Sequence, residues 1–210
     1  SEQIQKHIRM VNTKSNDMID FSASVRNFAE RKICLQPQRL QIHLSNAKEV
    51  LNAGLQHFLG GDYKWQPEYD KVADWLTDNK GLGLFCMGNC GRGKTTICLQ
   101  ILPCIMQHYL HKIMAMCLAR EMNRHYAEVM QNRLLIIDDV GREEPYQEYG
   151  NRFNVFPDFV DDCERRGKFL IANTNCTKEQ LADKYGERTL SRLKATTRLV
   201  VFAGEDLRHG

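Results

Sequence analysis

The sequence predicts an α/β fold in which a largely parallel five-stranded sheet is sandwiched by helices. Three observations predict it. Gly88-Asn89-Cys90-Gly91-Arg92-Gly93-Lys94-Thr95 fits the pattern G-x-x-x-x-G-K-[ST] and lies between an apolar run and a helical run. Leu134-Leu135-Ile136-Ile137 is a branched apolar run ending in Asp138-Asp139, as suits a strand buried on both faces of a parallel sheet. Strand-like and helix-like stretches also alternate through most of the chain.

Each element follows from local pattern. Within the polar stretch from Ser1 to about Pro37, Phe21, Val25, Phe28 and Ala29 recur at helical spacing and predict one short amphipathic helix. Leu40 to Leu59 predicts a longer helix with Leu40, Leu44, Ala47, Leu51, Leu55 and Phe58 on one face, ended by Gly60-Gly61. Residues 1–62 are therefore expected to form a helical N-terminal extension and residues 63–210 the main domain. A turn-like link, Tyr63 to Pro67, precedes a helix over Tyr69 to Leu76; Trp65 there either joins the core or flanks a ligand ring.

Leu82 to Met87 predicts the first strand, and Thr96 to Leu102 a helix that Pro103 should kink or end. Lys112 to Leu118 reads as a strand, Arg120 to Gln131 as a polar helix, and Leu134 to Ile137 as the central strand. Phe153 to Arg166 reads as a helix begun or interrupted near Pro157, followed by a strand over Lys168 to Ala172. A short helix from Lys178 to Tyr185, a stretch from Leu190 to Lys194 and a last strand, Arg198 to Phe202, complete the order. Few residues follow that strand, so no substantial C-terminal helical lid is expected.

The loop carries the first chemistry. Its glycines allow a curled backbone whose N–H groups point inward as an anion nest, and the next helix adds the positive end of its dipole. Residues Gly88 through Thr96 are thus the candidate phosphate-binding set. Lys94 would reach the β- and γ-phosphates, and the Thr95 hydroxyl would complete a Mg²⁺ shell. Asp138 would hold that Mg²⁺ through its water, and Asp139 would orient or deprotonate a water attacking the γ-phosphate. ATP and Mg²⁺ are the cofactors so implied, and the fold is that of a P-loop NTPase.

Composition bounds the alternatives. The chain has 210 residues, 42% hydrophobic and 26% charged, which suits one globular domain with a modest extension. A net charge of +3 neither demonstrates nor opposes nucleic-acid binding. No run approaches the roughly 18 apolar residues of a membrane span, and Ser1 to Met10 lacks a signal-peptide core. The eight cysteines include no C-x-x-C pair, and Cys104, His108 and His111 match no zinc spacing. A reduced, cytoplasmic protein is expected.

Several motifs together resemble one family. The loop, Leu134 to Gly141, Ala172-Asn173-Thr174-Asn175, and Lys184-Tyr185-Gly186-Glu187-Arg188-Thr189-Leu190-Ser191-Arg192-Leu193 are similar to the AAA+ core of DnaC-type helicase loaders and IstB-like transposition helpers, over about Tyr63 to Arg208. Tyr149-Gly150-Asn151 adds to that likeness. The resemblance implies that Asn175 is a sensor for the γ-phosphate and that Arg192 is an arginine finger acting in a neighbouring subunit's site. It places Arg208 near a sensor-2 position. Asp139 departs from the glutamate usual in AAA+ proteins, which predicts slow hydrolysis.

The resemblance implies an ATPase switch that self-associates through the ATP site, binds a replicative helicase and contacts single-stranded DNA. Charge for such a groove would come from among Arg165, Arg166, Lys168, Lys178, Lys184, Lys194 and Arg198. The alternative is the transposition helper, with duplex DNA and a transposase as partners. A small-molecule kinase on the same loop is disfavoured, because no arginine-rich lid is evident and two aspartates suit water activation better.

Overall fold

In the computed structural model, which describes residues 19–31 and 37–204, five strands form one parallel sheet. They are β1 (Gly83–Gly88), β2 (Ala115–Leu118), β3 (Leu134–Asp138), β6 (Phe169–Thr174) and β7 (Thr197–Phe202), in the spatial order β2-β3-β6-β1-β7. The strands are legible because their side chains alternate between two buried faces. Leu84, Cys86, Ile136, Ile171 and Val200 enter one core, and Phe85, Leu135, Ile137, Leu170 and Ala172 enter the other. Register pairs Cys86 with Asn173 and Ile137 with Ala172. The carboxyl ends of β1, β3 and β6 therefore lie side by side, where open α/β sheets bind ligands.

Among the described residues the helices are α1 (Phe21–Glu30), α2 (Ala47–Leu59), α3 (Pro67–Thr77), α4 (Leu102–Leu110), α5 (Ala119–Met122), α6 (Tyr126–Gln131), α7 (Val155–Arg166) and α8 (Lys178–Thr196). A compact unit begins at Pro37, and α1 belongs to a separate unit that ends at Gln36. Within its own unit, α1 carries Phe21, Val25 and Phe28 at helical spacing and is capped by Asp20, whose carboxylate accepts the Ala23 N–H at 2.9 Å.

The expected helix from Leu40 to Leu59 is half right. Only Ala47–Leu59 is helical; Leu40-Gln41-Ile42-His43-Leu44 is irregular, with Ile42 and Leu44 buried and Gln41 and His43 exposed. Asn79 holds this segment. Its Oδ1 accepts the Ile42 N–H at 2.8 Å and the Gly81 N–H at 3.1 Å, while its Nδ2 donates to the carbonyls of Leu40 and Leu82. Leu51 and Leu55 of α2 are fully buried in the same core as Ile97 and Ile101. Residues 37–62 thus pack within the main unit, and the boundary expected at 62/63 lies at 36/37, because the apolar face of α2 is covered by the domain itself.

Other differences are local. Pro103 does not end its helix; it sits in the first turn of α4, after a π-helical turn over Thr96–Ile101 in which the Leu102 N–H reaches Ile97 O. The strand expected from Lys112 starts only at Ala115. The helix expected over Arg120 to Gln131 is two short ones, α5 and α6. Asn123 lies between them, its amide donating to Glu144 O at 2.9 Å and accepting the Val155 N–H at 3.0 Å.

A hairpin that the sequence reading left undescribed follows β3: β4 (Tyr146–Glu148) and β5 (Asn151–Phe153), joined by Tyr149-Gly150. Both loop residues have positive φ, 49° and 80°, as the two-residue turn favoured by twisted hairpins requires. The two stretches expected between Lys178 and Lys194 form one element, α8, broken at Gly186 (φ 80°, ψ 156°). Its start carries a reciprocal cap between Thr177 and Gln180.

Asn79→Ala would leave buried backbone groups of the leading segment unpaired. It is expected to lower unfolding stability by about 2–4 kcal/mol, measured by urea denaturation.

Candidate functional site

The loop Gly88–Thr95 leaves β1 at the centre of the sheet edge. At Gly88 (φ 140°) an added Cβ would lie 1.9 Å from the carbonyl oxygen of Phe202 on β7, so only glycine fits between the strands. Gly93 (φ 81°) faces the Tyr69 ring of α3, whose hydroxyl donates to Arg92 O at 3.2 Å. The Lys94 ammonium is folded onto its own loop, donating to Gly88 O at 2.8 Å and to Asn89 O. Burial holds the Lys94 pKa below its ordinary value, so an anion seated in the loop would favour its charged form.

The acidic pair faces this loop. Asp138 Oδ1 lies 3.4 Å from the Thr95 hydroxyl and accepts the Asn173 amide at 2.6 Å. Asn173, buried at the end of β6, also accepts the Asp139 N–H through Oδ1 at 3.0 Å. Asp139 has φ 60°, a left-handed conformation, and its carboxylate accepts the Asn175 amide at 3.1 Å. Gly91, Gly93, Lys94, Thr95, Thr96, Asp138, Asp139 and Asn175 line one cavity of about 350 Å³, within the size range of small-ligand sites. Hydroxyl, carboxylate and ammonium groups thus line a single cavity. That donor set fits a divalent cation shared with a phosphate chain.

The other expected residues fall in several places. Cys90 lines the cavity. Asn89 turns away from it, its amide donating to Gly204 O at 3.3 Å. Arg92 turns inward: its buried guanidinium pairs with Glu68 at 2.6 Å and with Gln66 Oε1 at 3.0 Å, so only its backbone is available to a ligand. Arg192 is away from its own chain's loop, paired with Asp161 and with Glu164 (2.8 Å) on α7. Arg208 lies outside the described residues. Trp65 packs edge-on against Tyr69 and does not line the cavity.

Asn173, expected within the polar tip Asn173-Thr174-Asn175 to meet a phosphate or its water, instead orders both aspartates. Residues without a sequence signal include Leu59, at the end of α2, which lines the cavity, and Asn79, which holds the leading segment. Glu68 is a third. A glutamate in the first turn of an amphipathic helix gives no local sign that its partner is in the loop. Of the seven charges proposed for a nucleic-acid groove, Arg165, Arg166 and Lys168 pair with acids of α7, and Lys184 pairs with Glu143. Arg198 donates to Asp78 O. No cluster of three or more metal-ligating side chains occurs among the described residues, Cys104, His108 and His111 included, and no helix there is long and apolar enough to cross a membrane.

Strand order and loop placement define a parallel α/β sandwich in which the Gly88–Thr95 loop leaves β1 beside the carboxyl ends of β3 and β6. No protein-family model and no curated protein sequence matches the chain. Among solved structures it is similar to that of the DnaC helicase loader, with a TM-score of 0.52 at 16% identity, covering 74% of this chain and 99% of that one. It is also similar to AMPPCP-bound DnaA from Aquifex aeolicus, with a TM-score of 0.51 at 19% identity, covering 68% of this chain and 49% of that one. At these identities the likeness is one of fold.

Glu68→Ala would remove the carboxylate that pairs with the buried Arg92 guanidinium. It is expected to cost about 3–5 kcal/mol of unfolding stability, read by denaturant titration, with Glu68→Gln costing less.

Proposed function

We propose that the chain is a slow, Mg²⁺-dependent ATPase that works in DNA replication as a loader of a replicative helicase. The observation that carries the reading is the approach of Asp138 to Thr95, 3.4 Å apart, in the cavity that Asp139 and Asn175 also line. The loop N–H groups would take the phosphate oxygens, and Lys94 would exchange its contacts with Gly88 and Asn89 for the β- and γ-phosphates. Mg²⁺, held by Thr95 and by Asp138 through water, would neutralise charge on the phosphates. Asp139 would accept a proton from the attacking water, and Asn175 would hold Asp139 and that water in line.

The aspartate side chain is one methylene shorter than glutamate, and Asn175 already occupies one of its oxygens; both favour slow turnover. Arg192 would leave Asp161 and Glu164 to complete a neighbouring copy's site, making assembly ATP-dependent. Similarity to the loader fold supports the replication setting. Single-stranded DNA and the helicase are the proposed partners, with self-association through the ATP site.

Lys94→Ala should weaken ATP binding at least about a hundredfold in a fluorescent-nucleotide titration, from lost charge-assisted contacts. Asp139→Asn should keep ATP affinity within about threefold while turnover falls on the order of a hundredfold, a loss confined to the transition state. Arg192→Ala should bind ATP normally yet assemble and hydrolyse poorly by sedimentation and phosphate release; intact assembly and turnover would remove its trans role. Co-precipitation of the full chain with a replicative helicase and with a transposase tests the partner, and retention of the transposase alone would overturn the loader reading.

A further inference from the structure

The turn that carries Asp139 is fixed from both sides. Every peptide group from Asp139 to Gly141 has a partner. On the β6 side, Asn173 Oδ1 accepts the Asp139 N–H, Asn173 O accepts the Val140 N–H at 2.9 Å, and the Thr174 hydroxyl donates to Val140 O at 2.6 Å. The Arg142 N–H reaches back to Asp139 O at 3.2 Å. On the far side, Glu143 Oε1 accepts the Gly141 N–H at 2.9 Å, and the Lys184 ammonium donates to Gly141 O at 2.7 Å. The Glu143 carboxylate is itself buried, ion-paired to Lys184 and hydrogen-bonded by the Tyr185 hydroxyl.

This second clamp is unlike the first. The β6 contacts come from the rigid sheet, whereas Glu143, Lys184 and Tyr185 join the turn to α8. Tyr185 also packs on Phe156 of α7, with ring centroids 4.7 Å apart. Asp139 needs such a clamp, because a non-glycine residue at φ 60° is held there only by its surroundings. None of the three side chains lines the nucleotide cavity. We propose that Glu143, clamped by Lys184 and Tyr185, is a positioning residue that sets the Asp139 carboxylate for attack on the γ-phosphate and ties it to α8. The inference rests on the ATPase reading above for its chemistry, but not for its geometry.

Two measurements on full-length Glu143→Ala and Tyr185→Phe test it. Amide hydrogen exchange at Gly141 should accelerate at least about tenfold in Glu143→Ala while exchange in β1, β3 and β6 stays as in the parent. Single-turnover ATP hydrolysis should fall about ten- to a hundredfold, with Mg-ATP affinity within about threefold. Tyr185→Phe, which removes one hydroxyl and no charge, should show the same pattern more weakly and serves if Glu143→Ala does not fold. Glu143→Gln, which keeps an acceptor for Gly141, should recover part of the rate.

Unchanged Gly141 exchange in these variants would overturn the clamp. Accelerated exchange with unchanged hydrolysis would overturn its bearing on Asp139, and equal losses of affinity and rate would reduce Glu143 to a general structural role. A parent protein that binds no Mg-ATP would instead overturn the ATPase reading and, with it, the chemical half of this inference, leaving the exchange result to decide the clamp.

Discussion

Asp138 stands between two groups that reach it from different elements, the Thr95 hydroxyl at 3.4 Å and the Asn173 amide at 2.6 Å. That meeting depends on the parallel register of β1, β3 and β6, which brings the phosphate loop, the acidic pair and the polar tip of β6 to one edge. A parallel sheet needs both faces covered, so the two cores are a condition of the site as well as of stability. A shift of β3 by one residue would turn Asp138 away from Thr95, since side chains alternate along a strand.

A buried ion pair fixes the path of the loop. Arg92 sits in the middle of the phosphate loop, yet its side chain points away from the cavity into Glu68 and Gln66 of the α3 entry. Burying such a pair gives little net stability, but losing one partner is costly, so the pair fixes the loop's path more than it strengthens the fold. Tyr69 adds a second tether through Arg92 O. The glycines then supply the curvature that these tethers hold in place.

Much of this was legible in the sequence, for physical reasons that differ by element. Leu134 to Ile137 could be read because a doubly buried strand needs branched apolar residues in succession, and Gly88 because the loop leaves no room for a side chain. Leu40 to Leu44 was misread because its leucines fit both a helical and a twofold repeat; Asn79, 37 residues from Ile42, decides between them. The hairpin was hidden because its turn uses Tyr149 at a positive φ where glycine or asparagine would have signalled it. Asn173 and Asn175 are two apart on one strand end, so pattern alone could not say which orders Asp138 and which touches Asp139.

The long helix α8 makes two kinds of contact, one on each side of its break. Just before Gly186, Lys184 and Tyr185 meet the buried Glu143 carboxylate, where the local dielectric is low and charge pairing is firm. Beyond the Gly186 break, Arg192 meets Asp161 and Glu164 in partly exposed pairs. Asp161 is also shared with Arg165 of its own helix. The helix is therefore held to the Asp139 turn through a buried carboxylate just before its break, and to α7 through partly exposed pairs beyond it, so the break at Gly186 separates two kinds of attachment.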